Sequence, residues 1–195
     1  MTMSNGAFDL NAFIQESREV LVNPKSYFSS MKTSGGMTEP LIKAVIYGAV
    51  AGAIAFVWGI MHLAFGGGLF GGLAGITAFF FYAIGAVIGL FIGAIILMVI
   101  SSICKGSTDF EACIRVVASV MVLIPINVLF AFAPIIHFYL GVLINVAVSL
   151  YSLWLLYNAL IETLKCKPES TKIVMYILVA LTVIVQLVNK GHIYP

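Results

Sequence analysis

The chain has 195 residues, 62% of them hydrophobic and only 9% charged, with a formal net charge of +2. A water-soluble domain of this length needs far more charge to cover its surface, so lipid is the solvent that suits the sequence. So small a positive excess excludes nucleic acid as a partner, and what matters is where the ten basic residues lie.

Residues Met1 to Glu39 are polar or amphipathic and hold no apolar core of the ~7–15 residues that a secretory signal requires. Insertion is therefore expected to be directed by the first span. Within this segment Leu10, Phe13, Ile14, Ser17 and Leu21 recur at helical spacing. Asn11, Gln15, Arg18 and Glu19 fall mostly on the other side, which predicts an amphipathic helix. Asn23-Pro24 ends it and starts a second short helix, with Asn23 as N-cap and Pro24 in the first turn. That helix carries Tyr27, Phe28 and Met31 on one face. Ser34-Gly35-Gly36 then forms a linker. Phe13, Ile14, Tyr27 and Phe28 are the candidates to meet the membrane surface or a partner; the alternative is a lid packed on the bundle's own end.

Charge divides the rest of the chain. No Asp, Glu, Lys or Arg occurs from Ala44 to Cys104, from Val116 to Ile161, or from Ile173 to Asn189. A spanning helix needs ~20 residues, so these runs hold two, two and one span. The expected fold is all-α, a membrane bundle of about five helices at roughly 41–65, 73–102, 113–133, 137–162 and 172–190. Residues 1–39 form an N-terminal amphipathic segment and 40–195 the bundle. Thr38-Glu39-Pro40 supplies a cap, an early carboxylate and a first-turn proline for the first span. Gly66-Gly67-Gly68 with Gly71-Gly72 marks a hairpin after it, and Pro134 marks the turn between the third and fourth spans.

Orientation follows from the bases. Arg18, Lys25, Lys32, Lys43, Lys105, Arg115, Lys165, Lys167 and Lys172 share one side under this count, and Lys190 alone takes the other. The positive-inside rule then puts the N-terminus in the cytoplasm and the C-terminus outside.

Inside the spans, Gly85, Gly89 and Gly93 form a small-residue face on the second, and the first offers Gly48 and Gly52. Such faces let helices approach closely in lipid, within one chain or across a homo-oligomer. Asn127 on the third span, and Asn145, Ser149, Ser152 and Asn158 on the fourth, are either interhelical hydrogen-bonding groups or a polar lining for a small solute or lipid. No ionisable group stands near the middle of any span, which disfavours ion-coupled transport.

Three histidines, His62, His137 and His192, fall on the outer side and have the chemistry for zinc, but no close pair or nearby acid supports such a site. Cys104, Cys113 and Cys166 map to the cytoplasmic side without a CxxC spacing, and read as small buried residues at helix ends. The glycine run lacks the Lys-Ser/Thr ending of a phosphate loop. No nucleophile, base and acid converge. Neither catalysis nor a cofactor is expected.

Several motifs carry a resemblance. They are Val20-Leu21-Val22-Asn23-Pro24-Lys25-Ser26-Tyr27-Phe28 with Met31, Gly35-Gly36 and Glu39-Pro40-Leu41, then Lys105-Gly106-Ser107 with Phe110, then Arg115-Val116-Val117-Ala118 leading to Pro125. The last is Leu150-Tyr151-Ser152-Leu153-Trp154-Leu155-Leu156-Tyr157. In this order they resemble the YIP (Ypt-interacting protein) domain family, particularly its prokaryotic members, over roughly residues 20 to 190. The resemblance implies five spans, a cytoplasmic N-terminus and a bacterial or archaeal plasma membrane. Eukaryotic relatives resemble trafficking factors that associate with one another and with Rab-type GTPases. This chain departs from them where Asn11 follows Asp9-Leu10 in place of Tyr-Gly-Pro, so a membrane or GTPase-like protein partner is implied by the family alone. The expected role is a non-enzymatic scaffold in membrane organisation or trafficking. The alternative is a passive permease or lipid-handling protein that uses the polar residues of the fourth span.

Overall fold

A computed structural model describes residues 9–62, 68–133 and 137–191. It is all-helical, with no strand among the described residues. Helix α1 (Leu10–Val22) begins where the Asp9 carboxylate accepts hydrogen bonds from the amides of Asn11 and Ala12, at 2.9 and 3.1 Å. It ends at Asn23, and Pro24 occupies the first turn of α2 (Pro24–Ser30), where a missing amide proton costs nothing.

Four long helices and one broken one follow: α3 (Thr38–His62), α4 (Gly68–Ile103), α5 (Phe110–Val120) with α6 (Leu123–Leu129), α7 (Phe138–Glu162) and α8 (Pro168–Gly191). They supply five segments long and apolar enough to cross a membrane, namely Thr38–Met61, Gly75–Ile103, Phe110–Leu129, Tyr139–Glu162 and Pro168–Val185. The α4 helix extends further than the glycine pattern suggests. Gly68, Gly71 and Gly72 are helical rather than part of a turn, since glycine weakens a helix by only about 1 kcal/mol and flanking Leu69, Phe70 and Leu73 continue the apolar run. Pro134 lies outside the described residues.

The third span is the centre of the bundle. Of its apolar window 61% is buried, against 11% for each of the last two. Its interruption has a local cause. Pro125 has no N–H for the carbonyl of Met121 four residues earlier, and its ring crowds that carbonyl. The Met121 carbonyl is taken instead by the amide of Ile124 at 2.9 Å, and the helix breaks at Met121–Val122.

Helices α3 and α4 pack tightly because two glycines of α3 meet α4 directly. A Cβ at Gly48 would stand 2.7 Å from the Cβ of Ala86, and one at Gly52 would stand 2.8 Å from the carbonyl oxygen of Phe79. The α5–α6 span completes a three-helix body with them, and α7 and α8 form a pair beside it. At one end two loops join body and pair: the Ser107 amide donates to Leu164 O (2.7 Å) and the Lys167 amide to Cys104 O (3.0 Å). Helices α1 and α2 cover this same end as a cap.

Candidate functional site

The cap is fastened to the bundle by a buried charge network. Glu39 and Lys43 lie one turn apart at the start of α3, as do Glu111 and Arg115 at the start of α5; each is an i,i+4 ion pair, at 3.2 Å. The two pairs are cross-linked, because Arg115 Nη1 also donates to Glu39 Oε2 at 2.9 Å. The network then reaches the cap. Lys43 Nζ donates to Glu16 Oε1 of α1 at 2.5 Å, and the Tyr27 hydroxyl of α2 donates to the same oxygen at 2.6 Å.

Lys43 and Arg115 have side chains only 8% and 7% exposed. Burial of a charge is tolerable only when its donors are matched by acceptors, and here each cation faces more than one. The linker is captured too. Gly36 sits at φ +91°, a left-handed conformation that glycine adopts without strain. Its carbonyl accepts from Arg115 Nη2 (2.9 Å) and its amide donates to Glu111 Oε1 (2.6 Å).

Between cap and bundle lies a 200 Å³ cavity lined by Glu16, Tyr27, Lys32, Glu39, Lys43 and Arg115, among others. Glu16 Oε2 is buried and takes no hydrogen bond among the described residues. Burial pushes the Tyr27 hydroxyl far above the ordinary tyrosine range, and the charge and hydrogen bond of Glu16 push it the same way. Tyr27 is thus a fixed proton donor to Glu16, and also shares a 2.8 Å hydrogen bond with Ser119.

Three of the four residues expected to meet membrane or partner are turned inward. Phe28 is fully buried, Phe13 is buried against the Tyr47 ring (centroids 5.1 Å apart), and Tyr27 is held in the network. Their apolar faces meet α3, α5 and α7 instead of lipid, so the lid alternative describes their placement. Ile14 alone points out, together with Leu10, Arg18 and Val22 along the same ridge of α1.

The small-residue faces diverge as well. Gly48 and Gly52 join α3 to α4, whereas Gly85, Gly89 and Gly93 of α4 turn away from α3. A Cβ at Gly93 would stand 3.0 Å from Val117 of α5, one at Gly89 3.8 Å from Met121, and one at Gly85 would meet nothing within 4 Å.

Of the polar set, Asn127, Asn145, Ser149 and Ser152 converge on a cleft between the α5–α6 span and the α7–α8 pair. Its upper chamber of 520 Å³ is lined by Asn127, Asn145 and Tyr82, and its lower chamber of 420 Å³ by Asn127, Ser149, Ser152 and Thr182. Asn158 is not part of it; it is buried near the cap and donates to Trp154 O of its own helix at 2.8 Å.

His137 precedes α7 with its ring 5.7 Å from that of Tyr139. The side chain of His62 and all of His192 lie outside the described residues. Among the described residues no group of three His, Cys, Asp or Glu could hold a metal ion. The three cysteines are buried free thiols. The Cys166 thiol is raised above its ordinary range by burial, and its Sγ lies 3.4 Å from Ser101 Oγ.

In the sequence Lys43 marks orientation, and Arg115 marks orientation and a family motif; neither role reveals that the two organise a site. The available signal was the pair of Glu-x-x-x-Lys and Glu-x-x-x-Arg spacings at the starts of two spans. Compared with known proteins, residues 18–189 match the family model described as Yip1 domain. No curated protein and no solved structure matches the chain.

Proposed function

The chain belongs to the Yip1 domain family and is an integral membrane protein of that family, and from that premise we propose that it is a non-enzymatic scaffold whose cap is its docking surface. In this reading the cap faces the cytoplasm, as the positive-inside rule has it. One observation supports it best. The inner face of α1 is clamped by Glu16, while its outer ridge carries Leu10, Ile14 and Val22, 57%, 57% and 61% exposed, around Arg18. An apolar ridge on a rigidly held helix offers a partner a preformed surface, which lowers the ordering cost of binding.

A photo-crosslinking residue at position 14, used in native membranes, tests this. A discrete protein adduct that disappears on Leu10→Glu is the expected result; adducts to lipid alone would sink the scaffold reading. The cleft beside Asn145 and Ser149 favours a second reading, passive permeation or lipid handling. That reading predicts solute or lipid movement in reconstituted vesicles that falls on Asn145→Leu and Ser149→Leu. Movement equal to that of protein-free vesicles would remove it.

A further inference from the structure

The membrane-level cleft combines three features whose joint chemistry the scaffold does not use. Its two chambers share Ile124 and Asn127, so they form one continuous groove. None of its lining residues is charged. Its polar groups are also graded with depth. At a rise of about 1.5 Å per residue, Asn145 lies about 26 Å along α7 from Glu162, and Asn127 lines the same upper chamber as Asn145. Ser149 and Ser152 lie nearer the cap, at about 20 and 15 Å from Glu162.

We propose that this cleft holds one glycerolipid drawn from the leaflet distant from the cap, with its ester region at Asn127 and Asn145 and an acyl chain in the lower chamber. The hydrocarbon layer is about 30 Å thick, so the two amides stand near its far edge, where glycerol esters lie. The walls below them are mainly apolar, with Val120, Leu123, Val148 and Leu156 among them, and only hydroxyls supply polarity there. An amide facing hydrocarbon without a partner is costly. Asn127 is exposed, and its side chain makes no hydrogen bond among the described residues. A glycerolipid brings ester acceptors to that depth by its own construction and an alkyl tail to the level beneath. The lining offers a phosphate no cation, so the headgroup projects out and is not selected. Chambers of 520 and 420 Å³ fall in the range of small-molecule sites. The site coincides with that of the lipid-handling reading but requires no lipid movement.

The test reconstitutes the full chain in phosphatidylcholine vesicles containing a trace of phosphatidylcholine with a diazirine in one acyl chain. After illumination, adducts are mapped by peptide. They are expected to concentrate on Met121–Asn127 and Val148–Leu156, above the level on the exposed α4 face at Ile84, Ile88 and Ile92. Asn127→Leu with Asn145→Leu should lower cleft adducts about tenfold, the weight of about one polar contact in lipid, and leave α4 adducts unchanged as the sign of an intact fold. Asn127→Gln with Asn145→Gln should label as the wild type does. Cleft labelling no richer than that of α4, unchanged labelling in the leucine pair, or a cross-link between Asn145→Cys positions of two copies would overturn the proposal. Lipid translocation is measured on the same vesicles. Labelling without translocation refutes lipid handling and leaves the site standing. Translocation without cleft labelling removes the site.

Discussion

Replacing Arg115 by methionine removes the one group that touches both pairs and the linker. The side chain is 7% exposed, and its guanidinium donates to Glu39, Glu111 and the Gly36 carbonyl. Methionine fills similar volume without a charge, so the loss is electrostatic rather than a cavity. Removing one partner of a buried ion pair costs about 3–5 kcal/mol, because the other charge is left uncompensated. Here Glu39 keeps Lys43 and Glu111 keeps the Gly36 amide, which places the expectation at the low end, about 3 kcal/mol. For a chain of this size that is a fall of about 6–12 °C in the midpoint of thermal unfolding, read by tryptophan fluorescence in detergent. The linker at Ser34–Gly36 should also become the first site of proteolysis. Arg115→Lys, which keeps the charge but loses the fork geometry, should fall between the two. A midpoint within about 1 °C of wild type, with no new cleavage at the linker, would show that the network does not hold the cap.

Tyr27→Phe deletes the hydrogen bonds to Glu16 and Ser119, and should destabilise the cap by about 1–2 kcal/mol in the same assay. Because the Tyr27 value is raised in the folded chain, the unfolded chain ionises first. The contribution of Tyr27 to cap stability is thus constant below the ordinary tyrosine value of about 10 and falls as pH rises beyond it; in Tyr27→Phe this contribution to the alkaline slope should vanish. Gly48→Ala drives a methyl into Ala86 and the Tyr82 carbonyl and should cost about 1–3 kcal/mol, while Gly85→Ala, with open space around it, should be neutral or slightly stabilising. Equal effects at the two positions would contradict the packing described. Cys166, buried and with its thiol raised, should alkylate at least about tenfold more slowly in the folded chain than in denaturant; stoichiometric modification on mixing would refute its enclosure.

The all-helical class and the five membrane-crossing helices are legible in the sequence because charge is excluded from lipid so strictly that gaps between charged residues map the spans. The cap is only half legible. The spacing of Phe13 and Phe28 shows that these faces are buried in something, but an apolar face carries no mark that distinguishes lipid, a partner or the chain's own α7. The same limit applies to Glu16, Lys43 and Arg115. Local spacing exposes the two i,i+4 pairs, whereas the bond from Glu16 to Lys43 depends on where a separate helix docks. The meeting of Asn127 with Asn145 depends on the course of the chain after the break before Pro125, which composition does not contain. The α4 glycines look like a partner for α3, and helical spacing alone cannot say which neighbour they face.

The hydrogen bond from Thr163 to the Phe28 carbonyl joins residues separated by 135 positions, and that separation sets an order in time. The cap is synthesised before the spans that seat it, and its seat is finished only when α7 has been made. Throughout that interval Val20 and Phe28, both sealed in the mature protein, have no complete site to occupy. Closure of the cap therefore reports that the fourth span has been inserted. A nascent or truncated chain that lacks α7 displays the apolar inner face of its own cap, the kind of surface on which chaperones and proteases act.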